Sequence, residues 1–366
     1  AIELNSDGSC TVKATNRSSN LIINGAMNVA QYGTTSTTNG YNTVDRWNNY
    51  TNNADEAGTF SQASISSGND AYNAGFRNCL KVVNGNQTSG VGTEDFIQLK
   101  YTVESQDVAN SGWNTKSTSS YITFSFWIKS SVAQAFSGSL RTNDGTAYSY
   151  KFSTPSLSAD TWTKVTKTIP GNSNLDFNDD NGIGLQIYLY PYLGTNYTSS
   201  DSNTETWITG QTNTYANDIT GTWWTTNDAT FEITGVQLEV GDFASDFCHE
   251  LYSETLRKCQ RYYQTITGGV GVGEDSTTTI VFSFCCPVEM RSTPSFSTTG
   301  VLTFEEMNDA DRTQSSGHAS VRSNRDNSRG ACLNLSNFSG IQKDQPYPMS
   351  PNHSGNDNRI ALNAEL

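Results

Sequence analysis

Apolar and polar residues alternate along most of this chain. From 121 to 129 every even position is apolar: Ile122, Phe124, Phe126 and Ile128. The stretches 97–103 and 185–189 repeat the pattern with their odd positions apolar. Because successive side chains of a β-strand point to opposite faces, this period of two predicts antiparallel-type strands with one buried and one wet face. Runs rich in Gly, Asn, Ser and Thr separate these stretches and predict tight turns.

The alternation changes phase once inside a single apolar stretch. Phe231 and Ile233 are odd-numbered, whereas Val236, Leu238 and Val240 are even-numbered, with Thr-Gly at the change. One extra residue in a strand produces such a shift, so the sequence predicts a β-bulge at 234–235.

One segment has helical spacing instead. Apolar residues recur at Tyr252, Leu256, Cys259 and Tyr263, and Ser253 is a candidate N-cap. The glycine-rich run 268–273 that follows predicts a flexible connection, and the polar stretch 308–329 predicts a loop or wet edge.

The predicted fold class is therefore all-β, with an N-terminal jelly-roll or β-sandwich domain, one short linking helix and a small C-terminal β-sandwich. We expect an N-terminal arm at 1–20, the jelly-roll domain at 21–248, the linking helix at 249–264 and the C-terminal domain at 265–366.

Composition and charge limit the classes of partner that the chain is expected to bind. Only 34% of the 366 residues are hydrophobic, but 11% are aromatic, which favours packed cores over disorder. The formal net charge of -14 disfavours binding to nucleic acid or anionic lipid. No stretch approaches the roughly 20 apolar residues that cross a bilayer, so no membrane insertion is expected.

Sequence motifs of catalysis are scarce. The three histidines lie in no zinc-binding or nucleophile motif, and His249, beside the helix, is expected to be structural. The seven cysteines are odd in number and form no Cys-x-x-Cys pair, which predicts buried free thiols, with an intermolecular bridge as the alternative. The chain is accordingly predicted not to be an enzyme.

Aromatic residues are the better candidates for a binding site, because sugar rings stack their C–H faces on flat side chains. Trp223 and Trp224 stand in a polar loop, and Tyr188, Tyr190 and Tyr192 occupy the polar phase of one predicted strand. Exposed together, they would form a glycan-binding platform. The alternative is that they pack under loops or at a subunit interface.

An acidic cluster offers a candidate metal site. Asp176, Asp179 and Asp180 precede the strand at 185–189, and Ca²⁺ takes several oxygen ligands from one loop. A solvated acidic turn is the alternative. A structural Ca²⁺ is the one cofactor that the sequence suggests, and none is required.

Ordered motifs resemble a known family. Among them are NLIINGAMNVAQ at 20–31, VDRW at 44–47, DDNGIGL at 179–185, ITGVQLEVG at 233–241, CHELY and CQRYY at 248–252 and 259–263, and NAEL at 363–366. They resemble a domain recurrent in tail-fibre and other appendage proteins of bacteriophages, notably phages of aquatic bacteria. The stretch 308–353 is the least similar part.

This resemblance implies a carbohydrate-binding-module-like jelly roll, then a small distal β domain, commonly as a homotrimer on a virion. Other virion proteins would be contacted through the N-terminal arm. The expected function is multivalent, non-catalytic attachment to host-surface polysaccharide. Two alternatives stay open: a purely structural virion protein, such as a capsid fibre, decoration or filament subunit, and a polysaccharide depolymerase, which would need paired acids in a cleft.

Overall fold

The computed structural model describes residues 2–4, 10–12, 20–199, 203–209, 215–274, 277–299, 302–306, 309–316, 321–349 and 359–366. The chain divides into two compact units, Ala1–Thr255 and Leu256–Leu366. The predicted N-terminal arm, 1–20, falls largely outside the described residues. No helix among those residues is both long enough and apolar enough to cross a membrane.

The first unit is built almost entirely of strands. In chain order they are β1 Ile2–Leu4, β2 Cys10–Val12, β3 Thr35–Ser36, β4 Trp47–Asn52, β5 Thr59–Ser64, β6 Asn78–Val83, β7 Phe96–Glu104, β8 Tyr121–Ser130, β9 Ser137–Thr142, β10 Tyr148–Ser153, β11 Thr163–Pro170, β12 Ile183–Leu193, β13 Thr198–Ser199, β14 Trp207–Thr209, β15 Ala216–Asn217 and β16 Thr230–Val240.

Two six-stranded antiparallel sheets form a β-sandwich in this unit. Sheet A has the strand order β14-β10-β9-β12-β7-β4, and sheet B has the order β11-β8-β16-β6-β5-β3. One continuous hydrophobic core lies between them and draws on both sheets, as Leu99 and Ile187 of sheet A and Phe124 and Leu238 of sheet B show. The predicted all-β class and N-terminal β-sandwich are confirmed.

Strand β8 shows how the sequence pattern becomes this packing. Its even positions are buried in the core as predicted: Ile122, Phe124, Phe126 and Ile128. Thr123 and Ser125 on the other face are buried as well, so the wet face expected here is covered. The Thr123 hydroxyl donates to the carbonyl of Gly241 at 2.8 Å, which fixes part of that cover.

The predicted bulge in β16 is confirmed. Pairing with β8 shifts register between Thr234 and Gln237, and Gly235 has φ +59°. The side chain of Phe76 lies directly over this glycine, because a Cβ built there would stand 2.4 Å from Cζ of the ring. Glycine is therefore required twice, by the backbone conformation and by the close approach of a ring.

Three helices occur among the described residues, at α1 Asp70–Asn73, α2 Ser105–Ala109 and α3 Tyr252–Gln260. The sequence predicted only α3, because helices of four or five residues carry too few positions to show a period. Helix α3 begins at Tyr252, so Ser253 lies within it, and the proposed N-cap at Ser253 is wrong. Tyr263, the last residue of the predicted helical pattern, belongs to a strand instead.

The second unit contains β17 Tyr263–Ile266, β18 Val270–Gly273, β19 Ile280–Cys285, β20 Ser295–Thr299, β21 Leu302–Glu306, β22 Asp309–Ser316, β23 Val321–Asn327, β24 Gly330–Leu335, β25 Pro346–Pro348 and β26 Arg359–Asn363. They form sheets of order β17-β26-β20 and β23-β24-β19-β18-β25, with β21 and β22 paired separately. A second core includes Phe282, Phe304 and Leu333.

One sequence prediction for this unit is wrong, and another is confirmed in part. The glycine-rich connection is strand β18, paired on both sides, because glycine allows neighbours to approach: a Cβ at Gly273 would stand 2.0 Å from the carbonyl oxygen of Gln342. The polar stretch 308–329, expected to be a loop or wet edge, contains strands β22 and β23, and β23 lies at the edge of its sheet, so the edge alternative is confirmed there. A hairpin strand and an edge strand are held by backbone pairing and need no apolar alternation.

Candidate functional site

Strand β12 places aromatic side chains on the outer face of sheet A. Leu185, Ile187 and Leu189 point into the core, as predicted. Tyr188 of β12 stands opposite Lys100 of β7 on one side and Ser139 of β9 on the other. Because side chains alternate along a strand, Tyr188 lies on the face of the sheet that points away from the core. Tyr190 follows on the same face, but it is only 2% exposed and packs with Leu193 and Ala216, so the expectation that Tyr190 is exposed is wrong. The rings of Tyr188 and Tyr190 are parallel, at an interplanar angle of 9°, with centroids 5.9 Å apart.

Tyr192 does not join this face. The pairing of β12 with β7 shifts between Leu189 and Tyr192, so Tyr192 stands opposite the core residue Ile97. Its ring stacks on Trp224 at 4.8 Å and belongs to the sandwich core. The expectation that Tyr192 is an exposed platform residue is wrong, because the bulge reverses the direction of its side chain.

The expectation for Trp223 and Trp224 is also wrong. Both indoles are essentially inaccessible, at 0% and 1% exposure. The indole N–H of Trp223 donates to the carbonyl of Thr230 at 2.9 Å, and that of Trp224 donates to the carbonyl of Gly90 at 2.8 Å. The polar sequence of their loop suggested exposure, but large aromatic side chains can reach the core from a loop when the indole N–H donates to a backbone carbonyl.

A pocket of ≈ 290 Å³ lies on this face. Five aromatic side chains line it: Phe96, Tyr188, Tyr190, Tyr197 and Tyr215. Gln98, Arg141 and Leu193 complete the described lining. We call these eight residues the tyrosine pocket.

Two loop segments close one side of the tyrosine pocket. The backbone N–H of Tyr215 donates to the carbonyl of Tyr197 at 2.7 Å, which ties the two segments together. The Tyr197 ring meets Phe96 edge to face at 5.4 Å and lies 6.1 Å from the Tyr215 ring. The aromatic walls are thus held by backbone bonding and by ring contacts.

The hydroxyl groups of the pocket are held as neutral groups. Tyr188 donates to Oε1 of Gln186 at 3.0 Å, and the Tyr190 hydroxyl lies 3.3 Å from Oγ of Ser139. Burial raises the pKa of Tyr188 and of Tyr190 above the ordinary value of 10.0. The pKa of Tyr197 is also raised, by burial first and then by the charge of Glu94.

Arg141 supplies the charge of this site. It lies on β9, directly opposite Gln186 of β12 and Ser149 of β10. Its guanidinium carbon stands 4.6 Å from the centroid of the Tyr215 ring, which is cation–π distance. Its Nε atom is buried and has no hydrogen-bond partner in the structure.

The sequence did not identify Phe96, Gln98, Arg141, Tyr197 or Tyr215. Phe96 and Gln98 occupy the polar phase of the stretch predicted as β7, so the signal used for Tyr188 could have found them. Tyr197 and Tyr215 stand in loops, where no periodicity assigns a face.

The acidic cluster does not form a metal site. Asp176 pairs with Lys116 at 2.6 Å, Asp179 accepts from the amide of Asn110 at 2.7 Å, and Asp180 accepts from the N–H of Gly182 at 2.9 Å. Across the described part of the chain, no group of three or more His, Cys, Asp or Glu residues could hold a metal ion. The Ca²⁺ prediction is therefore wrong: each carboxylate closes a loop with its own partner.

His249 and the cysteines are arranged largely as structural residues. The His249 ring lies 5.0 Å from both Phe76 and Phe247, and its Nε2 stands 3.1 Å from the carbonyl oxygen of Ala74. Cys79 and Cys259 are buried thiols as predicted, but Cys248 and Cys285 are exposed, which the sequence did not predict.

Comparisons with known proteins give structural neighbours only. No protein-family model and no curated protein matches this chain. The enzymatically active domain of tailspike protein 4 of bacteriophage CBA120 is 11% identical with a TM-score of 0.30, and the match covers 61% of this chain and 21% of that one.

Two carbohydrate-binding domains are also similar. The family 11 carbohydrate-binding module of a Clostridium thermocellum cellulosomal cellulase is 14% identical, with a TM-score of 0.26 and coverage of 57% of this chain and 95% of that one. The N-terminal cellulose-binding domain of Cellulomonas fimi β-1,4-glucanase C is 11% identical, with a TM-score of 0.25 and coverage of 59% and 99%. The β-sandwich assignment rests on the strand pairing of this chain itself.

Proposed function

We propose that this chain is a virion appendage protein, of the tail-fibre type, that attaches to host-surface glycans by multivalent binding without cleaving them. The observation that carries the proposal is the tyrosine pocket, where five aromatic rings and two polar side chains line one concavity. A pyranose ring presents an apolar C–H face to such rings and hydroxyl groups to their polar neighbours.

The dimensions and polarity of the pocket suit a short glycan segment. Its volume of ≈ 290 Å³ is just below the range of small-molecule sites, about 300 to 1,000 Å³. The side chains of Gln98 and Arg141 offer hydrogen bonds beside the aromatic walls. Apolar walls with few polar groups give orientation to a ligand, and this combination supports sugar binding.

The virion part of the proposal rests on the ordered sequence motifs that resemble phage appendage domains. In such an assembly, a homotrimer joined to other virion proteins through the N-terminal arm would present three pockets to one surface, outside the host cell. Several weak contacts made together can exceed one contact in avidity by about 10² to 10⁴. A pocket that binds its sugar weakly is therefore sufficient for firm attachment.

Binding without cleavage is the simpler chemistry for this pocket. Glycoside hydrolysis generally uses two carboxyl groups that flank the scissile bond. The described lining of the tyrosine pocket contains no carboxylate. Incubation with a bound polysaccharide should therefore release no reducing ends, and time-dependent release would contradict this part of the proposal.

The experiment measures binding of the fluorescently labelled oligomer to candidate bacterial cells before and after periodate oxidation of their surface sugars. Tyr188→Ala and Tyr215→Ala are compared with Tyr72→Ala. Tyr72 is a matched control, because it is half-buried and lies under Arg77 at 3.8 Å, as Tyr215 lies under Arg141, but it is outside the pocket.

We expect periodate to abolish binding and each pocket variant to weaken it about tenfold, equivalent to about 1.4 kcal/mol. Tyr72→Ala should bind like the unmodified protein. Binding that survives periodate, or that both pocket variants retain in full, would overturn the proposal.

A second candidate is a purely structural virion protein, and exposed apolar residues favour it. Phe243, Leu251 and Tyr252 are 47%, 74% and 58% exposed in the first unit. Subunit contacts could cover them. Failure to bind any cell, together with loss of oligomers in Leu251→Ser, would support this candidate over attachment.

A further inference from the structure

The described lining of the tyrosine pocket contains a cation and no carboxylate. Arg141 is the one charged residue of the described lining. The residues that face it across the sheet, Gln186 and Ser149, are both neutral. The described lining of the pocket therefore carries a positive charge, although the chain has a formal net charge of -14 and Glu94 lies close enough to Tyr197 to raise its pKa.

The side-chain oxygen of Gln186, which stands opposite Arg141, already accepts two hydrogen bonds. Oε1 of Gln186 accepts from the Tyr188 hydroxyl at 3.0 Å and from the side-chain amide of Asn143 at 2.9 Å. Both lone pairs of this oxygen are thus used, and Nε of Arg141 remains buried without a partner. A buried donor of this kind is costly unless something accepts its hydrogen bond.

An anionic ligand group meets this requirement better than a neutral hydroxyl. A guanidinium presents its donors in a planar fork that matches carboxylate and sulfate oxygens. Hydrogen bonds between ionised partners are roughly twice as strong as neutral ones. The Tyr215 ring, whose centroid lies 4.6 Å from the guanidinium carbon, contacts Arg141 within the same pocket.

The acidity of the whole chain does not oppose this assignment at close range. At physiological ionic strength the Debye length is about 8 Å, so carboxylates farther away are largely screened. A direct contact with Arg141 is screened much less. The negative surface would instead disfavour an anionic polymer at places other than this pocket.

We propose that the tyrosine pocket selects saccharides that bear an anionic group, either the carboxylate of a uronic acid or a sulfate ester, and that Arg141 contacts that group. This inference rests on the proposed glycan-binding function and deepens it. The aromatic walls would hold the sugar ring while Arg141 distinguishes charged from neutral sugars.

The test uses three probes in isothermal titration calorimetry at 0.15 M NaCl: alginate oligosaccharides for carboxylate, κ-carrageenan oligosaccharides for sulfate, and laminarin oligosaccharides as neutral sugars. We expect at least a tenfold preference for one anionic probe over the neutral one. Arg141→Met should abolish the preference, and Arg141→Lys, which keeps the charge but not the fork, should retain part of it.

The control is Arg77→Met, which removes an arginine that also lies over a tyrosine but is outside the pocket, and it should leave the preference unchanged. Tryptophan fluorescence checks that each variant is folded. If Arg141→Met does not fold, Arg141→Lys still tests the role of the guanidinium group. Equal binding of neutral and anionic probes, or a preference that survives Arg141→Met, overturns the inference while leaving glycan binding intact.

Absence of binding to all three probes also overturns the specificity. The proposed function is then decided separately by the periodate assay on cells, which needs no purified glycan. The two failures are thus distinguishable.

Discussion

The bulge in strand β16 gives the sharpest test of the sandwich packing. Gly235 has φ +59°, and an added Cβ would stand 2.4, 2.8 and 3.0 Å from three carbons of the Phe76 ring. Gly235→Ala therefore combines a backbone cost with a collision. Gly112→Ala isolates the first of these, because Gly112 has φ +87° and nothing lies within 4 Å of its Cβ position.

The magnitude follows from these distances. Ordinary contact begins near 3.4 Å, so the ring must retreat by 3.4 − 2.4 = 1.0 Å. Phe76 is 1% exposed and packs against Phe247 at 4.9 Å, so it has little room to move. Overpacking of this kind costs about 1 to 3 kcal/mol, and a left-handed L-residue costs about 1 to 2 kcal/mol. We expect Gly235→Ala to lower the free energy of unfolding by about 2 to 5 kcal/mol. Gly112→Ala should show only the backbone cost, about 1 to 2 kcal/mol.

Urea unfolding followed by tryptophan fluorescence is the assay, because all seven tryptophans lie in the first unit and report on it alone. Phe76→Leu removes the outer ring carbons, so Gly235→Ala should cost less in that background, with a coupling energy of about 1 kcal/mol or more. Equal losses for Gly235→Ala and Gly112→Ala, with no relief from Phe76→Leu, would refute the packing of Phe76 on the bulge.

Three further predictions concern burial. Trp224→Ala should destabilise the first unit by about 3 to 5 kcal/mol, while Phe243→Ala, at an exposed position, should change its urea midpoint little; equal midpoints would contradict the core assignment of Trp224. Burial raises the pKa of Tyr150 to about 12 and that of Tyr188 above 10.0, so the folded state keeps protons that the unfolded state loses. The contribution of these two tyrosines to the free energy of unfolding should be fully present below pH 10 and be lost as the pH rises from 10 toward 12. Tyrosinate absorbance at 295 nm should then increase together with unfolding, and full ionisation of the tyrosines in the folded protein would refute this. Iodoacetamide should label Cys248 and Cys285 in the native protein but not Cys79, whose thiol pKa is raised by burial, and peptide mass spectrometry that finds Cys79 modified first would overturn the assignment.

The sequence predicts those parts of the fold in which local pattern and long-range packing agree. Alternation located β8 and the core-facing residues of β12 from Leu185 to Leu189, because a strand that borders a core needs one apolar side whatever its neighbours are. The phase change located the bulge at Gly235 for the same reason. By contrast, the alternating valines of β18 are exposed, and its two glycines are explained by the close approach of Ile280 to Gly271 and of Gln342, which is distant in the sequence, to Gly273.

In the candidate site, alternation alone does not place every aromatic residue of β12 on the correct face. Tyr188 and Tyr190 were placed on the outer face by their phase alone, but Tyr192 shares that phase and lies in the core, because one extra residue precedes it in the pairing with β7. Unlike the stretch 231–240, the alternation of β12 gives no sign of its shift. It becomes visible only against the partner strand.

The other walls of the tyrosine pocket depend on contacts that no periodicity reports. Tyr215 reaches the site because its N–H bonds to the carbonyl of Tyr197, and Arg141 reaches it because β9 lies beside β12 in the sheet order. Tryptophans 223 and 224 show the converse, since a polar loop sequence suggested exposure while both indoles fill the core. Binding sites on a sandwich combine residues from several strands and loops, so their chemistry follows from the pairing of strands rather than from any one segment.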